Sequence, residues 1–397
     1  MTTATMDDKA LLAVPERPAP PPASLIVEVA RKFGVSPITQ FREMTRLHFG
    51  QGRIAGPEYY ASGLYDPEMP FEDKRAYVGL KGNRKLNDRL SPSELATMQN
   101  FVANKVMFTA LVRQLGIATT ETQGVVSNLR HYGTLPNPAG PVELARFLKE
   151  EARFPLFGKP TAYSGSFGSV LLERIEGEML VLGNGRQVRL DAFCKEIFDE
   201  YAGGYVFQTA LQQHPDMETM TGRAVGSIRI VTVRESGAPR VLYALWKIPS
   251  PKAMSDNFWQ DGSMIAPLDV ATGTVGQART GTGLHARDIE MHPVSHRAIK
   301  GFQVPHWAAA REAACMAHAL FPDYGAVGWD VAITPEGPAI IELNDNPFHT
   351  LYQLSHGRGV LNPDFAPVFD RVAEVSAKML EDRKARQKAR KDQHKRS

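Results

Sequence analysis

The sequence predicts an α+β protein of two mixed lobes, preceded by a mostly helical region and followed by a basic helix. Three observations carry that expectation. Segments with helical and with strand periodicity alternate over most of the chain, and the pair Gly203–Gly204 interrupts the alternation midway. Residues 328–347, GWDVAITPEGPAIIELNDNP, read as a β-hairpin with acids and amides set among strand-forming apolar residues. A chain of 397 residues with 43% hydrophobic and 22% charged residues has material for two or three domains with sizeable cores.

Taken in order, residues 1–23 are Pro-rich and polar and are expected to be disordered. Residues 24–98 show mainly helical patterns with turn-like breaks at GQGRIAGPEYY and YDPEMP. A first lobe is expected over 99–203. It opens with the helix NKVMFTALVRQL, closed by Gly116, and continues with the strand-like IATTETQGVV and a helix from Pro141. FPLFGKP and SVLLERI then read as strands around a loop, followed by MLVLG and a helix over 190–200. A second lobe is expected over 204–360, with YVFQTAL, SIRIVTVRE and RVLYALWKI as strands of its sheet, the helix VPHWAAAREAACMAHALF and the hairpin. Residues 361–397 hold an amphipathic helix with Phe369, Val372, Val375 and Met379 on one face, and a basic tail.

Charge and cysteine content narrow the function classes. The net charge is +3, yet residues 383–397 alone carry eight Lys or Arg against one Asp, so the remainder is mildly acidic. With no aromatic residue among those cations to stack on bases, the tail reads as a solvated helix or disordered end, and nucleic-acid binding is not expected. Two cysteines, Cys194 and Cys315, make no disulfide framework or thiolate zinc site. No stretch approaches roughly 18 apolar residues and the N-terminus lacks a signal-peptide pattern, so a cytoplasmic location with no membrane span is expected.

In the hairpin, Pro335, Glu336 and Gly337 suit a three-residue loop that pairs Thr334 with Pro338 and so sets Asp330 opposite Glu342. Strand alternation puts Asn344 on the Glu342 face and Ile341 and Leu343 with the core. Like charges directly opposite each other are destabilising unless something positive lies between them. Mg²⁺ would supply it, since hard oxygen ligands suit it and it binds one or two carboxylates together with phosphates. The other reading is a hairpin whose acids face water.

FGKPTAYSGSFGSVLL joins two strands without the ending of a P-loop. Such a glycine loop either folds over a triphosphate, with Lys159 reaching phosphate oxygens, or is an ordinary long hairpin loop. Ser164 and Ser166 have no base and no nucleophile elbow, which excludes a serine nucleophile. Arg229 and Lys247 are lone cations in strand patterns and must meet a carboxylate or a phosphate. His285, His292, His296 and His306 lack zinc-site spacing.

Together these segments resemble the ATP-grasp fold, in which two α+β lobes clamp ATP, and more narrowly the sugar-transfer associated ATP-grasp family. The stretches ALQQHP, SIRIVTV, SDNFWQDG, LDVATG, HPVSHRAIKGFQVPHW and GWDVAITPEGPAIIELN carry the resemblance, over residues 55–350. It implies that Lys105 and Lys159 contact the nucleotide phosphates under a loop containing Ser164, Gly165, Ser166 and Gly168. It implies an adenine hinge at Gln208, Thr209, Ala210 and Leu211. Asp330, Glu342 and Asn344 would hold Mg²⁺, and Arg229 with Lys247 would face the transferred phosphoryl group. In this chain Gln208 stands where a glutamate is common, Gly226 and Ser227 where Asn and Thr are, and Lys247 where an arginine is. The implied activity is an ATP-dependent, ADP-forming carboxylate–amine ligase that works through an acylphosphate, its substrates small molecules or saccharide or peptide precursors. A phosphotransferase and a non-catalytic ATP-binding module are the alternatives.

Overall fold

The structure, a computed structural model, describes residue 11 and residues 22–161, 168–251 and 253–394. The expected disorder of residues 1–23 therefore falls almost wholly outside the described residues, as do Ser164, Gly165 and Ser166.

The first sheet contains β1 (Thr122–Val126), β2 (Leu156–Pro160), β3 (Val170–Glu176), β4 (Met179–Leu182), β5 (Gln187–Arg189) and β6 (Tyr205–Thr209). They lie antiparallel in the order β1-β6-β2-β3-β4-β5. Helices Pro141–Glu150 and Leu190–Tyr201 bury Leu144, Phe147, Phe193 and Ile197 against Leu156, Leu172 and Phe207 of this sheet. One expectation is corrected here. YVFQT, placed by its position after Gly203 in the second sheet, belongs to the first, where β6 pairs with both β1 and β2. The glycine pair ends a helix, but the chain leaves this sheet only after Thr209.

The second sheet contains β7 (Ile228–Val233), β8 (Arg240–Ile248), β9 (Met264–Leu268), β10 (Ala278–Thr280), β11 (Arg287–Ile289), β12 (Ala326–Thr334) and β13 (Gly337–Asn344), in the order β11-β10-β9-β8-β7-β12-β13. Alternation divides its side chains cleanly. Ile228, Ile230, Ala244, Trp246, Trp329 and Val331 face helix Trp307–Ala319, where Ala310, Ala314 and Ala317 permit close approach. On the other face, Val231, Val233, Tyr243 and Leu245 pack against helices Leu80–Leu90, Thr350–His356 and Ala366–His394. Burial on both sides explains why all of β12 is buried.

The N-terminal region is helical as expected, with its own small core around Tyr59, Tyr60, Leu64 and Tyr65. The C-terminal helix is longer than its apolar pattern suggested, Ala366–His394, and its basic end continues the helix. Its buried stripe is Val368, Phe369, Val372 and Ser376, whereas Val375 and Met379 are half-buried. No helix among the described residues is long and apolar enough to cross a membrane.

Candidate functional site

β12 and β13 set Asp330 opposite Glu342, as the sequence implies, but by another route. The turn is tighter than expected. Thr334 pairs with Gly337, leaving the two-residue loop Pro335–Glu336, and Gly337 takes a φ of 132°. A β-bulge then adds one residue on β13, so that Val331 pairs with Ile340 and Asp330 with Glu342. The short turn and the bulge cancel in register. They do not cancel in side-chain direction: Ile340 and Leu343 join the core, and Ile341, expected there, lines a cavity with Glu342.

That cavity, ≈ 760 Å³, lies between the two sheets, within the size range of small-molecule sites. Lys105 reaches it from the first turn of helix Lys105–Gln114, capped by Asn104 whose side chain accepts from the N–H groups of Val106 and Met107. Lys159 reaches it from β2, 6% exposed and with no ion-pair partner within 4.0 Å among the described residues. Burial lowers its pKa to about 8, an effect that Lys105 reinforces and Glu342 opposes. Gly168, at φ 69°, ends the loop; a Cβ there would lie 2.7 Å from the Tyr201 ring.

Arg229 of β7, Lys247 of β8 and Asp330 of β12 share one sheet face and meet. The Asp330 carboxylate accepts from Arg229 Nε at 2.6 Å and Nη2 at 3.2 Å, and from Lys247 Nζ at 3.0 Å. Burial works against the charge on Asp330, but the two cations prevail and hold its pKa well below the carboxylate range. Burial likewise opposes the charges on Arg229 and Lys247, and their carboxylate partners outweigh it and raise both. Positive side chains thus neutralise Asp330, but neither reaches Glu342 within ion-pair distance.

This bears on magnesium. Both Asp330 oxygens are committed to cations, whereas Glu342 has no hydrogen-bond or ion-pair partner among the described residues, and Asn344 uses only its Nδ2, toward Gly328 O at 3.4 Å. Glu342 and the Asn344 amide oxygen therefore fit a hard cation facing the cavity, with Asp330 behind them.

At the opposite end the structure brings Gln208, Thr209, Ala210 and Leu211 to the cavity wall. The Ala210 N–H donates to Pro155 O at 3.0 Å and the Thr209 N–H to Glu121 O at 2.8 Å. Two buried side-chain atoms there, Gln208 Oε1 and Thr120 Oγ1, have no hydrogen-bond partner among the described residues. Orphaned acceptors of this kind are rare in buried positions and suit a ligand with donors.

Asp256, on the wall of this cavity, escapes sequence reasoning. Asp256 accepts from Lys247 at 3.1 Å and from the Ser227 N–H at 3.1 Å, and takes a short hydrogen bond from Ser227 Oγ. Its signal, the polar cluster SDN between two strands, was legible only as a stretch without a role. Gly226 has a steric reason: a Cβ would sit 2.7 Å from Trp246 Nε1, whose N–H donates to Gly226 O at 3.0 Å. The departures at Gly226 and Ser227 thus belong to one local arrangement that ties residues 255–257 to the cation cluster.

Two α+β lobes closing on a cavity with cations on both walls and a carboxylate hairpin between them form the arrangement of an ATP-grasp protein. The chain belongs to the sugar-transfer associated ATP-grasp family, whose model matches residues 83–365. No curated protein sequence matches it. Among solved structures it is similar to a D-alanine–D-alanine ligase from Coxiella burnetii, with 13% identity and a TM-score of 0.43 over 80% of this chain and 70% of that one. It is also similar to the D-alanine–D-alanine ligase from Bacillus anthracis, with 12% identity and a TM-score of 0.38 over 71% and 70%. The ATP-grasp ligase PsnB, solved with a precursor peptide and AMPPNP, shows 14% identity and a TM-score of 0.36 over 72% and 61%.

Proposed function

We propose that the protein is an ATP- and Mg²⁺-dependent ligase that joins a carboxylate to an amine through an acylphosphate, acting on a small-molecule, saccharide or peptide precursor. The observation that carries this reading is the convergence of Lys105, Lys159, Glu342 and Asn344 on one cavity with orphaned acceptors at its far end. Lys105 and Lys159 would bind phosphate oxygens, and Gln208 with Thr120 would meet the base. Mg²⁺, held by Glu342 and Asn344, would neutralise charge on the phosphates.

Phosphoryl transfer asks for position and charge neutralisation more than for covalent help from the protein. A carboxylate oxygen of the substrate attacks the γ-phosphorus while the bond to ADP breaks. The amine then attacks the acyl carbon, phosphate leaves, and the amine loses a proton. Arg229 and Lys247, locked on Asp330, contribute a fixed positive field behind the reaction centre. Their role is to orient Asp330 and that field.

Calorimetric titration of Mg·ATP into wild type, Lys159→Ala and Glu342→Gln tests the nucleotide site without knowledge of the second substrate. Micromolar binding weakened in both variants is expected, followed by ADP release with a pool of carboxylates and amines. A folded wild type that does not bind Mg·ATP overturns the reading. A stable phosphate ester seen by phosphorus NMR would replace the ligase with a phosphotransferase.

A further inference from the structure

Asn346 follows the hairpin, is exposed, and lines the same cavity as Glu342 and Asn344. Two buried asparagines of helix Leu80–Leu90 determine which end of its amide faces inward. Asn87 contacts the Pro347 carbonyl at 3.0 Å, and a carbonyl only accepts, so the Asn87 atom there is Nδ2. The same Nδ2 lies 2.5 Å from Asn346, whose contacting atom must then be Oδ1. Asn83 repeats the logic independently. Its Oδ1 accepts from the His349 N–H at 2.9 Å, which leaves its Nδ2 to donate to Asn346 Oδ1 at 3.3 Å. On the far side Asn87 Oδ1 accepts from His349 Nε2 at 3.1 Å, and His349 Nδ1 accepts from Tyr243 OH at 2.8 Å. Every amide and ring nitrogen in the chain Tyr243–His349–Asn87–Asn346 thus has one consistent assignment, which the partners impose.

The acceptor end of Asn346 is saturated, and its Nδ2, with two N–H groups, has no acceptor among the described residues. We infer that Asn346 is a substrate-binding residue that donates to an anionic oxygen of the bound substrate, from its carboxylate or from the phosphoryl group being transferred. The inference rests on the ligase reading and extends it, because a group that only donates would reject the attacking amine and sort the two substrates by charge. It also makes helix Leu80–Leu90 a working part of the site: Asn83 and Asn87 are positioning residues that act through Asn346.

The test uses full-length protein labelled with ¹⁵N in asparagine side chains. Asn346→Asp identifies the Asn346 NH₂ signals by their loss, and it keeps an oxygen for Asn83 and Asn87 to bond, so the fold is preserved. Acetate and inorganic phosphate are titrated separately, with and without Mg·ADP. Movement of the Asn346 pair with acetate assigns the carboxylate, and movement with phosphate assigns the phosphoryl oxygen. In Asn346→Asp the affinity for that anion should fall about 10- to 100-fold, the size of one charge-assisted hydrogen bond. In Asn87→Leu the pair should broaden before any ligand is added, which a merely structural asparagine would not cause. A pair that moves with neither anion in protein that binds Mg·ADP overturns the inference and leaves the ligase reading standing. If Mg·ADP does not bind, that reading falls, and the anion titrations without nucleotide still decide the role of Asn346.

Discussion

Asp330 holds two cations with one carboxylate, and removing that charge should be costly. Asp330→Asn leaves Arg229 and Lys247 buried with incomplete partners, so a loss of about 3–5 kcal/mol is expected in denaturant unfolding. The pH dependence has a definite sign. Because the folded pKa of Asp330 lies below its unfolded value of 3.8, its stabilisation is complete above that value and is lost as pH falls below it. Lys159 behaves differently. Burial lowers it from 10.5 to about 8, so between those values the unfolded chain binds more protons and stability rises with pH. An anion needs the protonated lysine, and Mg·ATP affinity measured by calorimetry should weaken as pH rises past about 8. Lys159→Arg should flatten that profile, since arginine stays charged.

For single elements, the hairpin shows how a correct pairing can conceal two local errors. The turn residues suggest a loop one residue too long, and the bulge beside Asp330, which offsets that error, leaves no periodic trace in GPAIIELN. Deleting Ile341 removes the extra residue and joins Ile340 to Glu342, so regular pairing should still set Glu342 opposite Asp330. Mg·ATP binding retained by calorimetry, in a protein that still unfolds cooperatively, is the expected result. Gly226→Ala tests the approach of the residues preceding β7 to β8. A Cβ 2.7 Å from Trp246 Nε1 and 3.0 Å from Lys247 O forces the strands to shift, and a loss of about 1–3 kcal/mol is expected in denaturant unfolding.

Across the whole molecule, the buried His318 and His349 and the half-buried His356 should govern acid sensitivity. Burial lowers His318 and His356 from 6.5 to about 4, and His349 to about 3. His318 sits in a closed network, sharing a hydrogen bond with Thr232 Oγ1 at 2.7 Å and donating to Tyr324 O at 2.9 Å. All three stay neutral in the folded state while the unfolded chain takes up protons below pH 6.5, so stability falls on acidification from there. The slope approaches about 1.4 kcal/mol per pH unit for each histidine. Replacing His318 by Gln should flatten the first part of the decline seen in melts from pH 7 to 5.

The same scale separates what was legible from what was not. Period-two alternation by itself determined that Glu342 and Asn344 would share a face, and the turn residues determined that the segment is a hairpin, because these are properties of neighbours along the chain. Only the tertiary structure decided that the two cations would meet Asp330, that β6 would insert between β1 and β2, and that Asn87 would orient Asn346 from 259 residues away. Contacts between segments so far apart depend on how whole elements pack, and packing leaves no periodic mark on either segment.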